Sequence, residues 1–66
     1  MQLIINGEAK QVTEELTVTK LLAQLMLSPE QVVVELNHNI LPVDKHSATE
    51  LTSGDSIEIV HFVGGG

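Results

Sequence analysis

Apolar positions along this chain follow two rhythms, one of period two and one of period 3.6, and the switches between them predict its elements. Gln2 to Ile5 is a short apolar run ending at Asn6-Gly7, two residues that tolerate the positive φ of a tight hairpin turn. A second strand follows, through about Val12. A strict two-residue turn would set Leu3 opposite Lys10; a four-residue loop of Asn6 to Ala9 sets Leu3 opposite Val12, and the apolar match favours that longer loop. Glu14-Glu15 then breaks the pattern. Thr17 suits a helix N-cap, and Val18, Leu21, Leu22 and Leu25 fall at i, i+3, i+4 and i+7, one stripe of an amphipathic helix. Leu16 before the cap and Leu21 after it are placed for a hydrophobic staple. Ser28-Pro29 is expected to end the helix, because the residue before a proline avoids helical angles.

The run Val32-Val33-Val34 with Leu36 is dense and β-branched, the pattern of a strand buried on much of both faces and hence central. Asn37-His38-Asn39 reads as a turn, and Ile40-Leu41 as a brief strand stopped by Pro42. Val43 to Thr52 is mixed and polar: a loop with room for one helical turn, with Leu51 as its core anchor. After the turn Ser53-Gly54-Asp55, Ser56 to Val63 forms the last strand, with Ile57 and Ile59 on one face and Glu58, Val60 and Phe62 on the other. The order strand, strand, helix, strand, short strand, last strand predicts an α+β fold, a small mixed sheet with one main helix packed on one face. If the first and last strands pair in parallel, the helix supplies the required crossover, which is the β-grasp topology. The domain is expected to span residues 1–63, with 64–66 a flexible tail.

Composition narrows what such a domain does. A chain of 66 residues buries only roughly 60% of its unfolded surface and leaves little interior for an active site. No apolar run approaches the ~20 residues of a membrane span, and Met1-Gln2-Leu3 opens without the features of a signal peptide, so a cytoplasmic protein is expected. Nine acidic against three basic residues give a formal charge of −6, which repels nucleic acid and anionic lipid and suits a basic partner surface. Phe62 is the only aromatic residue, so there is no platform for stacking bases. With no cysteine, the chain forms no disulfide and carries no persulfide or thioester on a side chain of its own.

Candidate chemistry concentrates at Gly64-Gly65-Gly66. Three glycines cannot extend a strand profitably, but they can thread a narrow channel. A terminal glycine also leaves its carboxylate without a Cβ to hinder attack at the carbonyl carbon. A glycine-rich end taken alone is more often a frayed terminus, so the body of the chain has to decide. His38, His46 and His61 lack the spacing of a zinc motif and read as solvated side chains; no metal site is expected. No nucleophile, base and carboxylate set emerges in so small a domain, which reads as a non-enzyme with no catalytic residues.

The chain resembles the thiamine-biosynthesis sulfur-carrier family, ubiquitin-like β-grasp domains that end in Gly-Gly. The resemblance covers the whole length. It rests on Met1-Gln2-Leu3-Ile4-Ile5-Asn6-Gly7, on Val18-Thr19-Lys20-Leu21-Leu22, and on Val32 to Asn37 with Ile40 and Pro42. It closes with Gly54-Asp55-Ser56-Ile57-Glu58-Ile59-Val60 and Val63 to Gly66. Members often have glycine where this chain has His38, which bears on the turn, and a basic residue where it has Val43, which bears on how that edge meets a partner.

The resemblance implies that the Gly66 carboxylate is adenylated by a ubiquitin-activating-type partner enzyme that uses ATP, no cofactor being bound by the carrier itself. A cysteine-desulfurase-derived sulfur donor then yields a thiocarboxylate, which is delivered to thiazole synthase. On that reading Gly64 and Gly65 occupy the partner's active-site channel, and Phe62, Val60 and Val33 form the surface that the partner grips. Three alternatives are a molybdopterin synthase small subunit, a ubiquitin-like protein modifier, and a β-grasp interaction domain without chemistry at its end.

Overall fold

The computed structural model describes residues 1–12 and 15–62. Its strands are β1 (Gln2–Ile5), β2 (Glu8–Gln11), β3 (Val32–Leu36), β4 (Asn39–Leu41) and β5 (Ser56–His61), and its helix is α1 (Val18–Gln24). Short 3-10 turns cover Pro29–Gln31 and Val43–Lys45. The sheet order is β2-β1-β5-β3-β4. β1 and β5 are parallel, joined by Ile4 N–H to Asp55 C=O (2.9 Å) and Asn6 N–H to Ile57 C=O (2.8 Å), and every other pairing is antiparallel. This is the expected α+β, ubiquitin-like β-grasp arrangement.

The helix forms where its cap and stripe place it. The Thr17 hydroxyl accepts the Lys20 backbone N–H at 3.2 Å, and Val18, Leu21 and Leu22 are buried. They pack into one core with Leu3, Ile5, Val32, Val34, Ile57 and Ile59, the inner-face residues of three strands, β1, β3 and β5. Leu16 and Leu51 complete that core. The segment around Leu51 runs alongside the start of α1 through Leu51 N–H to Leu16 C=O (2.8 Å) and Val18 N–H to Thr49 C=O (3.0 Å).

Four expectations are corrected. The first hairpin has a two-residue turn: Ile5 pairs with Glu8 and Leu3 with Lys10. Asn6 and Gly7 have φ of 50° and 82°, the positive pair whose twist matches that of the strands, and the Asn6 side chain is held as an acceptor for the Ile59 N–H at 2.8 Å. All four β2 residues are exposed, so a match of Val12 to Leu3 has little burial to gain. The helix, moreover, ends before Ser28-Pro29. Met26, at φ 60°, donates its N–H to Ala23 C=O and Leu27 donates to Leu22 C=O, which closes α1 in a Schellman turn. Leu25 falls at the cap and is 40% exposed, while Leu27 turns back onto the core.

The centre of the sheet is β5, the strand that pairs with both β1 and β3; β3 lies one place outward and is only partly buried on its second face. His46, finally, is buried rather than solvated: it is 3% exposed, with Nε2 3.3 Å from Leu41 C=O. Its segment folds under the sheet edge, where the His46 C=O also accepts the Thr19 N–H.

Candidate functional site

The outer face of the sheet, opposite α1, is built by the residues that alternate with the core. Register sets Val33 directly across from Val60, and Phe62 extends the same row by donating its N–H to Gln31 C=O at 3.0 Å. The three expected surface residues therefore come together: Val60 and Phe62 are each 56% exposed, and Val33 is half-buried between its neighbours. Ile40 on β4, 69% exposed, joins them by standing opposite Glu35, and Ile4 lies further along the same face. A shallow groove of about 230 Å³ passes along Val33, Ile40 and Phe62 toward Pro29, Pro42 and Val43.

Sequence alternation places Glu58 on this face but does not reveal what it meets. The structure sets Glu58 directly opposite Glu35. Only the pairing register discloses that juxtaposition. Ile40 and Ile4 were likewise legible as strand residues but not as members of an exposed apolar surface.

The end of the sheet that leads into β5 is tied by polar side chains. The Asn37 side chain donates to Asp55 Oδ1 (3.1 Å) and accepts the Ser56 N–H (2.9 Å), while the Thr52 N–H donates to Asp55 Oδ2 (2.8 Å). Burial pushes the Asp55 carboxyl up, but the hydrogen bonds from Thr52 and Asn37 together outweigh it and hold its pKa below the ordinary value. These bonds join the β3–β4 turn to the start of β5 and so help fix the β3–β5 register. Asn37 and His38 sit at φ 51° and 74°, so His38 occupies a left-handed position that glycine would take without strain.

Gly64, Gly65 and Gly66, with the expected tail boundary after Val63, lie outside the described residues. Among the described residues no group of histidine, cysteine or carboxylate side chains could hold a metal ion. Among the described residues no helix is long and apolar enough to cross a membrane.

Comparison with known proteins agrees with this geometry. The chain is similar to the crystal structure of a thiamine biosynthesis protein (ThiS) from Geobacter metallireducens, at 40% identity and a TM-score of 0.86 with both chains fully covered. It is 46% identical over 50 residues to sulfur carrier protein ThiS of Bacillus subtilis, covering 76% of each chain. It is also 39% identical over its full length to a thiazole synthase of Paramagnetospirillum magneticum, of which it spans 20%. A second thiazole synthase, from Magnetococcus marinus, matches at 38% and is again covered over only a fifth of its length. The ThiS family model matches residues 3–66, glycines included, and this chain belongs to the ThiS family.

Proposed function

We propose that this chain is a sulfur carrier for the thiazole step of thiamine biosynthesis, with the Gly66 carboxylate as the group that is charged. The observation that carries the reading is the family match running through Gly66 on a fold whose central strand, β5, leads directly to the three glycines.

A carboxylate is a poor electrophile, so sulfur transfer requires activation first. The Gly66 carboxylate attacks the α-phosphorus of ATP in an adenylating partner, pyrophosphate leaves, and an acyl adenylate results. The terminal sulfur of a persulfide, supplied by a cysteine-desulfurase system, then attacks the carbonyl carbon and displaces AMP. A second thiol cleaves the acyl disulfide and releases the thiocarboxylate. Thiazole synthase consumes it. All of this chemistry is done in partner pockets; the chain's own side chains bind and aim. Val33, Val60 and Phe62 give a partner something to grip near the root of the tail, and holding the body fixes the reach of Gly66. Gly64 and Gly65 supply clearance in the channel. A cytoplasmic location, where ATP and desulfurase sulfur are available, belongs to the same reading.

The test is an intact mass after incubation with ATP, the cognate adenylating enzyme and a cysteine-desulfurase system. Replacement of one oxygen by sulfur, absent when Gly66 is deleted, is expected. An unchanged mass with demonstrably active enzyme overturns the proposal. Gly65→Val should leave the melting temperature unaltered yet abolish charging, because a β-branched side chain then blocks the channel. Addition of thiazole synthase, or of the large molybdopterin synthase subunit, to the charged protein identifies the acceptor by which of them consumes the thiocarboxylate.

A further inference from the structure

The outer face holds an arrangement that folding alone disfavours. Glu35 and Glu58 are direct cross-strand partners on β3 and β5, which sets their Cβ atoms about 4.5 to 5.5 Å apart, and like charges so opposed destabilise a sheet. Neither carboxylate has a hydrogen-bond or ion-pair partner among the described residues, where the one ion pair is Lys10–Glu8. None of the three lysines is on this face. Lys10 pairs with Leu3 and so shares the helix side of the sheet, Lys20 is in α1, and Lys45 is in the second 3-10 turn. Apolar side chains flank the pair, with Val33 and Val60 next along the two strands in one direction and Ile40 opposite Glu35, while Asn37 and Ser56 follow in the other.

We propose that this face docks a partner protein that inserts an arginine between Glu35 and Glu58 while resting apolar side chains on Val33, Val60 and Phe62. The inference rests on the sulfur-carrier reading, in which that partner is the adenylating enzyme. A guanidinium suits the site because its planar fork of five donors can bond two carboxylates at once, and an ammonium cannot match that geometry. Covering the apolar surround removes water from the pair and strengthens the contact. A second copy of this chain is the wrong occupant, since it would bring two more carboxylates to the same place and no lysine. The pair thus selects the sign of the partner, and the apolar row supplies contact area.

The experiment is calorimetric titration of the full chain with its adenylating enzyme at 50 and 300 mM salt. Glu35→Gln with Glu58→Gln is expected to weaken binding about tenfold or more at low salt and to flatten the salt dependence. Its melting temperature should equal or exceed that of the parent, because a repulsion has been removed, so lost affinity cannot be lost folding. Glu15→Gln with Glu50→Gln makes the same change in net charge outside the sheet and should bind as the parent does. If that control loses as much affinity, the effect is net charge alone and the proposal falls. Parent and Glu35/Glu58 variant binding equally well, with equal salt dependence, overturns the arginine contact while leaving the carrier reading intact. Failure of the parent to bind active enzyme overturns both. A dimer of the free chain that is broken by Val60→Thr overturns the choice of occupant.

Discussion

On β5, Ile57 and Ile59 are 0% and 8% exposed, while Val60, the next residue along, is 56% exposed. The same contrast runs through β3, where Val32 and Val34 are buried and Val33 between them is not. Alternate residues of one strand therefore serve two purposes. The inner set is sealed by α1 and holds the fold; the outer set keeps Val33, Val60 and Phe62 apolar beside the Glu35–Glu58 pair, without a covering element. A surface that only needed solubility would carry polar residues there, as the exposed Gln2–Gln11 pair does further along the same face. The difference teaches that apolar character on this sheet does not by itself mean core, and substitution on each face separates the two roles.

The largest effect belongs at the centre of the inner face. Ile57→Ala removes a fully buried side chain from the strand paired with both β1 and β3, and should cost about 2 to 5 kcal/mol by urea denaturation. In a domain of this size that is a large part of the total. A loss below about 1 kcal/mol would mean that the two faces are not energetically distinct.

Val34→Thr sharpens the contrast by changing chemistry at nearly constant shape. Val34 is 1% exposed, so the new hydroxyl loses water on folding and should cost about 1 to 3 kcal/mol. The melting curve reads it directly. A neutral result would require the hydroxyl to find a backbone acceptor, which a crystal structure of the variant would show.

How much of this was legible in the sequence follows from how local each feature is. The Thr17 cap, the Val18-Leu21-Leu22 stripe and the alternation of β5 are fixed by residues within a turn or two of each other, and the structure reproduces them. The parallel β1–β5 pair also follows, because one helix is the only long crossover available. The turn at Asn6-Gly7 was misread by weighing apolar matching on a strand that turns out to be wholly exposed, where backbone twist decides instead. The end of α1 was misread because Met26 takes a left-handed position that sequence assigns to glycine or asparagine. His46 gave no local sign of burial, since its cover comes from the β4 end and α1. Of the site, Val33, Val60 and Phe62 were legible from alternation, whereas the Glu35–Glu58 opposition required the register between two strands distant in sequence. The glycines were legible only as composition at the end of a strand.

The smallest effect on stability is expected from the substitution that mirrors Val34→Thr on the other face. Val60→Thr keeps the β-branched shape, and its hydroxyl remains solvated at a position already 56% exposed, so stability should change by less than about 0.5 kcal/mol. Its effect should appear instead in association. Val60 stands across from Val33 and beside Phe62 in the row proposed to meet the adenylating enzyme, and a hydroxyl there has to be desolvated without a partner when the surfaces close. Calorimetry should therefore show weaker binding, with a salt dependence like that of the parent, because no charge has been altered. That signature separates the apolar row from the Glu35–Glu58 pair, whose loss flattens the salt dependence. If Val60→Thr costs as much stability as Val34→Thr, the outer face is covered in the free protein and the two faces are alike. If it is silent in both measurements, the partner's contact does not reach Val60, and the grip must lie nearer Phe62 and the groove toward Pro29 and Pro42.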